Sequence, residues 1–378
     1  MPAVEHVVIL VQENHTVDNY FRGLAPYGAN VAADWSLTPN PPAHDQPHDR
    51  HAYYDWLTGA SHGEHAQFDT AKDIPYYLYL ALTGAFLENH CAGFGTNSTP
   101  NHLLIVGGQS PTLKNPSRSG KQPVWDMPSL PGLAGAHRKS WRFYAASNKY
   151  PIGFYEQVRR SRNIRASSDF VTDVHANGLP ALSFLYHDPP LDEHPPADVT
   201  EGMNAVWHAV DAVVDKGLWE TTVFMLTWDD WGGWDDHVRT PCVEYTPDNV
   251  QLAYGPRVPL LLFGGHVKSG IDSRWCSHVS IPKTAMELLG LPALGVPRLD
   301  EDAGLADLVD SAITNPPPPK FGTAPPIPAP PARRPNPRPL PTPPAGPPKP
   351  TPLVVLRNGK TLPPPNDAPL PQRPAPPG

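Results

Sequence analysis

The amino-acid sequence predicts an α/β protein with a mostly parallel central sheet, because apolar strand-like runs alternate with helical patterns. Residues 4–11 form an apolar run without polar alternation, which is typical of a strand buried on both faces. A second such run, residues 222–228, ends directly on two aspartates, and acidic residues also follow the first run. Ligands bind beyond the carboxyl ends of parallel strands, so these acids predict a site at one edge of the sheet.

The other elements are predicted from hydrophobic spacing and from capping residues. Thr200 is the expected N-cap of one helix, and Pro100 suits the first turn of another. Residues 36–75 lack a clear period and are predicted to form a long loop or lid. Helical spacing predicts helices over residues 76–90, 100–107, 200–216 and 280–290, and short apolar runs predict strands over 143–144, 182–186, 222–228 and 258–263.

Composition divides the chain into an acidic domain over residues 1–312 and a proline-rich tail over residues 313–378. Residues 316–378 hold 27 of the 53 prolines, with eight Lys or Arg and one acid, a net charge of +7 (8 − 1). Residues 1–315 carry 21 basic and 36 acidic side chains, a net charge of −15 (21 − 36). Such a tail favours polyproline II and is expected to be a disordered spacer. The alternative is a docking segment for a proline-reading module or an anionic surface.

Composition also argues against several classes of protein. No apolar run reaches the ~18 residues of a membrane span. The acidic domain argues against nucleic-acid binding. Three cysteines cannot form a disulfide framework, although a Cys242–Cys276 bridge is left open. The start of the chain lacks the features of a signal peptide, so we expect a cytoplasmic protein as written, or a secreted one if the chain is a trimmed mature form. The sequence does not predict the oligomeric state.

The two acidic clusters at strand ends offer the oxygen ligands that suit a divalent metal ion. Glu13 and Asn14 follow the first strand, and Asp229 and Asp230 follow the strand at 222–228. Each pair taken alone is equally typical of a solvated loop or a helix cap. The sequence does not identify the metal or the number of ions.

A nucleophile and several histidines complete the candidate chemistry. Ser98 precedes a predicted helix, where backbone N–H groups and the helix dipole favour a phosphate. The alternative is that Ser98 only caps the helix. Imidazoles can donate to phosphoryl oxygens and protonate a leaving group, although any single one can equally be structural. The histidines near acids or prolines are His15, His48, His51, His187, His194 and His237.

Six segments in order resemble motifs of the bacterial phosphoesterase family, which contains phospholipases C and acid phosphatases. These segments are QENHTVDNYF at 12–21, STPNH at 98–102, DEHPP at 192–196, WDDWGGWDDHV at 228–238, YGPRVPL at 254–260 and SHVS at 277–280. The family is similar in fold to the alkaline-phosphatase superfamily. The resemblance therefore implies a three-layer sandwich and a phosphoesterase catalytic domain over residues 1–312.

The resemblance also implies roles for individual residues. Glu13, Asn14, Asp229 and Asp230 correspond to metal ligands, and Ser98 corresponds to a nucleophile that contacts the metal. Among the histidines, His194 would stabilise the phosphoryl group, and His48 has a weaker phosphate or leaving-group role. His237 is expected near the metal or its surrounding residues.

Two departures from the family pattern bear on the substrate. The family's acidic Y-D-E signature is Trp228-Asp229-Asp230 here, and Asp is one methylene shorter than Glu. The histidine pair of acid-phosphatase members is absent from the corresponding stretch at 148–154, where Lys149 offers a positive charge instead. Trp228, Trp231 and Trp234 either wall an apolar side of the pocket or belong to the core.

We therefore predict a metal-dependent phosphoesterase that hydrolyses phosphomonoesters through a phosphoseryl intermediate on Ser98. One alternative is a phospholipase C acting on phosphodiester head groups, and another is a non-catalytic binding module on the same fold. The expected partner is a small phosphate ester or a lipid head group. Neither a nucleic acid nor a transmembrane segment is expected.

Overall fold

An eight-stranded mixed sheet forms the centre of the molecule in a computed structural model. The model describes residues 4–117, 121–146, 149–241, 254–343 and 354–362. The strands of this sheet are β1 (His6–Gln12), β2 (Ala85–Leu87), β3 (Trp141–Ala145), β4 (Ile164–Ala166), β5 (Leu182–Tyr186), β6 (Thr222–Trp228), β7 (Leu260–Gly264) and β8 (Gly270–Asp272). Their spatial order is β8-β2-β7-β6-β1-β5-β3-β4. Only β7 runs antiparallel to its neighbours in this sheet, so the predicted mostly parallel sheet is confirmed.

Helices cover both faces of the sheet. The helices are α1 (Val17–Tyr20), α2 (Arg50–Thr58), α3 (Thr70–Asp73), α4 (Pro75–Thr83), α5 (Ser98–Gly107), α6 (Leu130–Ala136), α7 (Phe170–Asn177), α8 (Val199–Asp215), α9 (Ser280–Leu289) and α10 (Pro297–Asp300). Side chains of α5, α6 and α9 share a hydrophobic cluster with Val7 and Ile9 of β1. Those of α4, α7 and α8 share the opposite cluster with Val8 and Leu10. This alternation of β1 side chains produces the predicted three layers.

Shorter elements complete the described structure. Five 3₁₀ helices lie at Arg22–Tyr27, Ile152–Phe154, Ser167–Asp169, Trp219–Thr221 and Ala306–Leu308. Two-residue strands pair Ser36–Leu37 with Ala66–Gln67, His90–Cys91 with Cys276–Ser277, and Val354–Val355 with Thr361–Leu362. In the described part of the chain, no helix is both long and apolar enough to cross a bilayer.

Three local predictions differ from the structure. The helix predicted over 76–90 ends at Thr83, because Gly84 has an extended backbone (φ −108°, ψ −160°) and the chain then enters β2. Asp198, not Thr200, caps α8, since the Asp198 side chain accepts the Thr200 N–H. The predicted loop at 36–75 contains α2 and α3.

Helix α2 escaped prediction because its apolar face is aromatic and interrupted by polar residues. Tyr53, Tyr54 and Trp56 are buried against Trp231, which lies far away in the sequence. Asp49 caps the helix by accepting the Ala52 N–H. The prediction of a loop therefore failed where a non-local contact stabilises a short helix.

Candidate functional site

The strand pairing brings the two acidic clusters together at one edge of the sheet. β1 and β6 are adjacent and parallel, with Gln12 opposite Trp228. The next residues of both strands therefore leave the sheet side by side. The Asp229 N–H donates to the Gln12 carbonyl (3.0 Å), and the Asn14 N–H donates to Asp229 Oδ1 (3.0 Å). The backbone thus connects the two loops directly.

Backbone conformation at Asn14 and at two glycines permits this close approach. Asn14 has a φ of 65°, in the left-handed region that asparagine tolerates better than most residues. Gly232 has a φ of 59°, and a Cβ there would lie 2.3 Å from the Asn14 carbonyl oxygen. Gly233 has a φ of 77°, and a Cβ there would lie 2.4 Å from Gln46 Cβ. Both positions require glycine for conformational and steric reasons.

Ser98 is the first residue of α5 and points at the second acidic cluster. Its Oγ donates to Asp230 Oδ2 (3.2 Å), and only 6% of the residue is exposed. Asn97 occupies the N-cap position, so the alternative of Ser98 as the capping residue is wrong. The next residue, Thr99, contacts the Tyr150 hydroxyl through its own Oγ1 (2.9 Å).

His102 is a site residue to which the sequence analysis assigned no role. It lies one helical turn after Ser98, on the same face of α5. Its Nε2 is 3.0 Å from Glu13 Oε1 and 3.3 Å from Asp229 Oδ2. The available signal was the i, i+4 spacing of Ser98 and His102 on a predicted helix, since this spacing directs both side chains to one place.

Glu13, His102 and Asp229 form a compact group of possible metal ligands. Each offers one ligand atom, and the three atoms lie within 4.8 Å of one another. Burial alone lowers the pKa of His102, but Asp229 and Glu13 raise it overall to about 10. Burial alone raises the pKa of Asp229, but His102 holds it below its usual range. In the absence of an ion, these opposite charges stabilise each other.

Asp230 has a different electrostatic environment from Asp229. Burial and the neighbouring Asp229 carboxylate raise the pKa of Asp230 well above its usual range. Its Oδ1 accepts the Gly232 N–H (2.7 Å), while Oδ2 accepts the Ser98 hydroxyl. Two adjacent buried carboxylates of this kind require a nearby positive charge if both are to be ionised.

Two of the predicted histidines lie at this group. His48 Nε2 is 4.0 Å from Asp230 Oδ2 and 3.4 Å from Asn14 Nδ2. The Trp231 indole donates to the His48 carbonyl (3.0 Å) and so fixes the position of its loop. The ring centroids of His48 and His194 are 6.4 Å apart. Burial lowers the pKa of His194, but Glu13 and other acceptors raise it overall.

His237 has different partners, and its contacts do not support the catalytic role predicted for it. Its Nδ1 lies 2.6 Å from Asp18 Oδ2, and its Nε2 lies 3.0 Å from Asn30 Oδ1. Arg257 completes this network through Asp18 (3.3 Å) and through Asp236 (2.9 Å). Asp18, Asp236 and His237 also lie within 4.8 Å of one another, but the buried Arg257 guanidinium already supplies a positive charge to both carboxylates.

The DEHPP segment is fixed by a buried carboxylate, that of Glu193. Gln12 (2.8 Å) and Tyr77 (2.5 Å) donate to its Oε1. Tyr20 (2.7 Å) and Trp228 (2.9 Å) donate to its Oε2. Burial raises the pKa of Glu193 to about 7, although these four donors favour the ionised form. This arrangement holds His194 next to the acidic group.

The tryptophans of the WDDWGGWDDHV segment belong to the core. Trp228, Trp231 and Trp234 are at most 1% exposed, so they do not wall an open pocket. Instead, the ring of Tyr150 lies against His102, with centroids 5.0 Å apart. Asn148 and Cys242 lie outside the described residues, and the Cys242–Cys276 pairing stays a prediction.

The chain belongs to the Phosphoesterase family, whose model matches residues 4–292. Curated relatives include the non-specific phospholipase C6 of Arabidopsis thaliana, which is 26% identical over 274 residues, covering 64% of this chain and 52% of the relative. Phospholipase C A of Mycobacterium tuberculosis is 24% identical over 314 residues, covering 63% and 60%. The chain thus spans about half the length of the curated relatives it matches.

Solved structures with some likeness have much lower sequence identity. A 2-O GAG sulfatase is 9% identical, with a TM-score of 0.49 and coverage of 83% of this chain and 76% of that one. Murine ectonucleotide pyrophosphatase/phosphodiesterase 5 is 10% identical, with a TM-score of 0.47 and coverage of 81% and 100%. An alkaline-phosphatase-superfamily protein of Vibrio parahaemolyticus is 14% identical, with a TM-score of 0.43 and coverage of 81% and 71%.

Proposed function

We propose that this chain is a metal-dependent hydrolase of phosphate esters. The observation that carries the proposal is the hydrogen bond from the Ser98 hydroxyl to Asp230, at the edge where the Glu13 and Asp229 loops meet. Family membership supports the reaction class. The same arrangement without Ser98 would be only a buried charge cluster.

The donor set fits a divalent cation. Asn14 Oδ1 and Asp229 Oδ2 are both buried, and neither accepts a well-formed hydrogen bond, although His102 Nε2 lies 3.3 Å from the latter. Buried acceptors of this kind normally have a partner. The residues that would hold the ion are Glu13, Asn14, Ser98, Asp229 and Asp230. His102 would not ligate it while protonated, because its pKa is raised to about 10 and an imidazolium has no lone pair for a metal. When bound, a divalent cation would supply Lewis-acid charge to the Ser98 oxygen and to the phosphoryl oxygens.

The side chains define a two-step displacement. Ser98 Oγ forms a bond to phosphorus while the bond to the leaving alkoxide breaks, and Asp230 accepts the hydroxyl proton. His194 would donate to the phosphoryl oxygens, and His48 would protonate the leaving oxygen. In the second step water attacks phosphorus and passes a proton to His48, while Asp230 returns its proton to Ser98 Oγ as the phosphorus–Oγ bond breaks. The position of Ser98 at the first turn of α5 also places the positive end of the helix dipole near the phosphate.

The substrate class has two candidates. The resemblance to acid phosphatases favours phosphomonoesters, although the stretch at 148–154 that corresponds to their histidine-pair region contains no histidine. The relatives named above are phospholipases C, and they favour a phosphodiester such as a lipid head group. The reaction proposed is therefore phosphate-ester hydrolysis, and the assay below distinguishes the two substrate classes.

The test compares p-nitrophenyl phosphate with p-nitrophenyl phosphocholine, together with the metal content of the protein before and after chelation. Ser98→Ala should abolish turnover, and chelation should do so reversibly. Ser110→Ala is a matched control, because Ser110 follows α5 and donates only to the Thr112 carbonyl (2.8 Å). If Ser98→Ala retains full activity, Ser98 is not the nucleophile. No turnover of either ester with Mg²⁺, Mn²⁺, Ca²⁺ or Zn²⁺ would favour the non-catalytic binding module.

A further inference from the structure

The proline-rich segment at residues 315–343 lies against the domain, which the prediction of a free spacer does not anticipate. This segment, here called the strap, contains neither helix nor strand. Four aromatic side chains of the domain, here called the aromatic track, donate hydrogen bonds to its backbone carbonyls. The members of the track are Tyr27, Trp207, Trp219 and Trp275.

The first half of the strap is bound beside α8. The Trp219 indole donates to the Asn315 carbonyl (2.9 Å), and the Trp207 indole donates to the Pro319 carbonyl (2.7 Å). The ring of Phe321 lies 5.4 Å from that of Trp207. Pro318, between the two hydrogen-bonded carbonyls, is buried.

The second half of the strap reaches the far edge of the sheet. The Tyr27 hydroxyl donates to the Pro328 carbonyl (2.6 Å), and the Trp275 indole donates to the Pro341 carbonyl (2.8 Å). Arg338 donates to the Ile271 carbonyl (2.7 Å) in β8, which is an edge strand. The strap therefore contacts an edge strand through Arg338, and unprotected strand edges favour aggregation.

Charge and chemistry both favour this attachment. The strap lies in the segment of net charge +7, whereas residues 1–315 carry −15. Lys320 pairs with Asp215, and the Phe321 N–H donates to Asp211 Oδ2 (2.8 Å). Proline-rich chains lose little conformational entropy on binding, and their carbonyls lack partners within the chain. Aromatic side chains that donate to such carbonyls are the usual means of polyproline recognition.

We propose that the aromatic track is a binding surface for an extended proline-rich chain, and that the strap of the same molecule occupies it. The partner that the domain recognises is thus its own tail. The docked segment continues at least to Pro341. Removal of the strap would expose the track and the β8 edge together.

Limited trypsin digestion of the full chain tests this proposal. Trypsin does not readily cleave before proline, so the cleavable bonds in the strap are Lys320–Phe321 and Arg333–Arg334. A docked strap should be cut at Lys320–Phe321 at least tenfold more slowly than a synthetic peptide of residues 315–343. Equal cleavage rates for protein and peptide would overturn the proposal.

Substitutions of the track provide the second measurement. Trp207→Phe keeps the ring but removes the N–H donor, and a lost hydrogen bond of about 1 kcal/mol corresponds to about fivefold faster cleavage at Lys320–Phe321. Trp125→Phe is the matched control, since Trp125 packs against the cluster on the other face of the sheet, which contains Val7 and Ile9. This substitution should leave the cleavage rate unchanged. Equal rates for wild type and Trp207→Phe would contradict recognition by the indole.

The aromatic track can be occupied by the strap of the same molecule or by that of a second copy. Light scattering during size-exclusion chromatography distinguishes the two, because it gives the molar mass of the protein at each concentration. We expect the protection of Lys320–Phe321 to be independent of protein concentration. Protection that appears only in a dimer, and is lost on dilution, would overturn occupancy by the same molecule in favour of strap exchange between two copies.

Discussion

At the scale of single residues, His102 determines how the two acidic loops are held. Its imidazole is fully buried between Glu13 and Asp229 and supplies the positive charge of this group in the absence of an ion. A bound cation would supply the same charge. His102 and the metal therefore stabilise the same pair of carboxylates.

His102→Asn tests this role. We expect the variant to lose about 3 kcal/mol of unfolding free energy in chelated protein, because the buried Asp229 and the partly buried Glu13 lose their cation. The loss should be smaller with saturating Mn²⁺, which replaces the charge. Urea denaturation under both conditions measures the effect, with the exposed His175→Asn as control. An equal loss with and without metal would contradict the shared role.

Glu193 is a second residue whose surroundings permit a sharp prediction. All four of its neighbours donate hydrogen bonds, two to each carboxylate oxygen. In Glu193→Gln the amide NH₂ group would replace one of these oxygens, so it would point its own N–H groups at two donors. We expect a loss of about 2–3 kcal/mol in unfolding free energy. Tyr77→Phe removes a single donor and should lose about 1 kcal/mol. If Glu193→Gln has the same unfolding free energy as the wild type, the carboxyl group of Glu193 is protonated in the folded protein.

The sequence identified Glu13, Ser98 and Asp229 as candidates because each follows a strand or begins a helix, and those positions follow from local patterns. His102 could not be assigned in the same way. Its function depends on how α5 packs against the loop after β1, and that packing is non-local. The contacts of His237 could not be predicted for the same reason, since Arg257 joins its network from a distant part of the chain.

At the scale of elements, α8 lies against the DEHPP segment at Gly202. A Cβ at this position would lie 2.2 Å from Glu193 Cγ. Most helices gain stability when an internal glycine becomes alanine, by about 1 kcal/mol. Here the overlap and the displaced Glu193 carboxylate outweigh this gain.

We expect Gly202→Ala to lower the unfolding free energy by about 2 kcal/mol, because overpacking against a buried group costs about 1–3 kcal/mol and the Glu193 hydrogen bonds are also strained. Asn204→Ala in the same helix receives only the gain in helix propensity and serves as control. Thermal and urea unfolding measure both variants. If Gly202→Ala instead raises the unfolding free energy, the DEHPP segment must move away from α8 at little cost in free energy.

Element boundaries were predicted well where local rules decide them. β6 occupies 222–228 as predicted, and α9 differs from its predicted range by one residue. β2 was missed because it exists through its pairing with β7 and β8, which lie far away in the sequence. Its three residues carry too little local pattern to indicate a strand.

At the scale of the whole molecule, burial leaves several histidines neutral. His90 is fully buried, and burial lowers its pKa to about 4, against an opposing contact with the Val258 carbonyl (3.0 Å). Its folded pKa lies below its unfolded value of about 6.5. The resulting stability is therefore present above pH 6.5 and is lost as the pH falls towards 4.

His90→Gln keeps a donor for the Val258 carbonyl but cannot titrate. Between pH 7 and pH 4.5, the wild type should lose about 2–3 kcal/mol more unfolding free energy than the variant, since one pKa unit corresponds to 1.36 kcal/mol. The difference between the two proteins cancels the contributions of all other groups. Parallel stability curves from urea titrations would exclude His90 as a source of acid sensitivity.

Fold class and layer order were predictable because they follow from alternation of strands with helices. The antiparallel strand β7 and the strand order were not, since pairing is decided by non-local contacts. Charge segregation predicted a proline-rich tail but not its attachment to the domain. That attachment depends on aromatic side chains spread from Tyr27 to Trp275.

The two glycines at 232 and 233 have a practical consequence for protein engineering. Any side chain there would force apart the loops that carry Asn14 and the Gln46–His48 stretch. A mutant library aimed at new substrates should therefore leave this pair constant and randomise positions 149 and 150 instead. Clones with substitutions at Gly232 or Gly233 would have these two loops displaced and would be inactive members of the library.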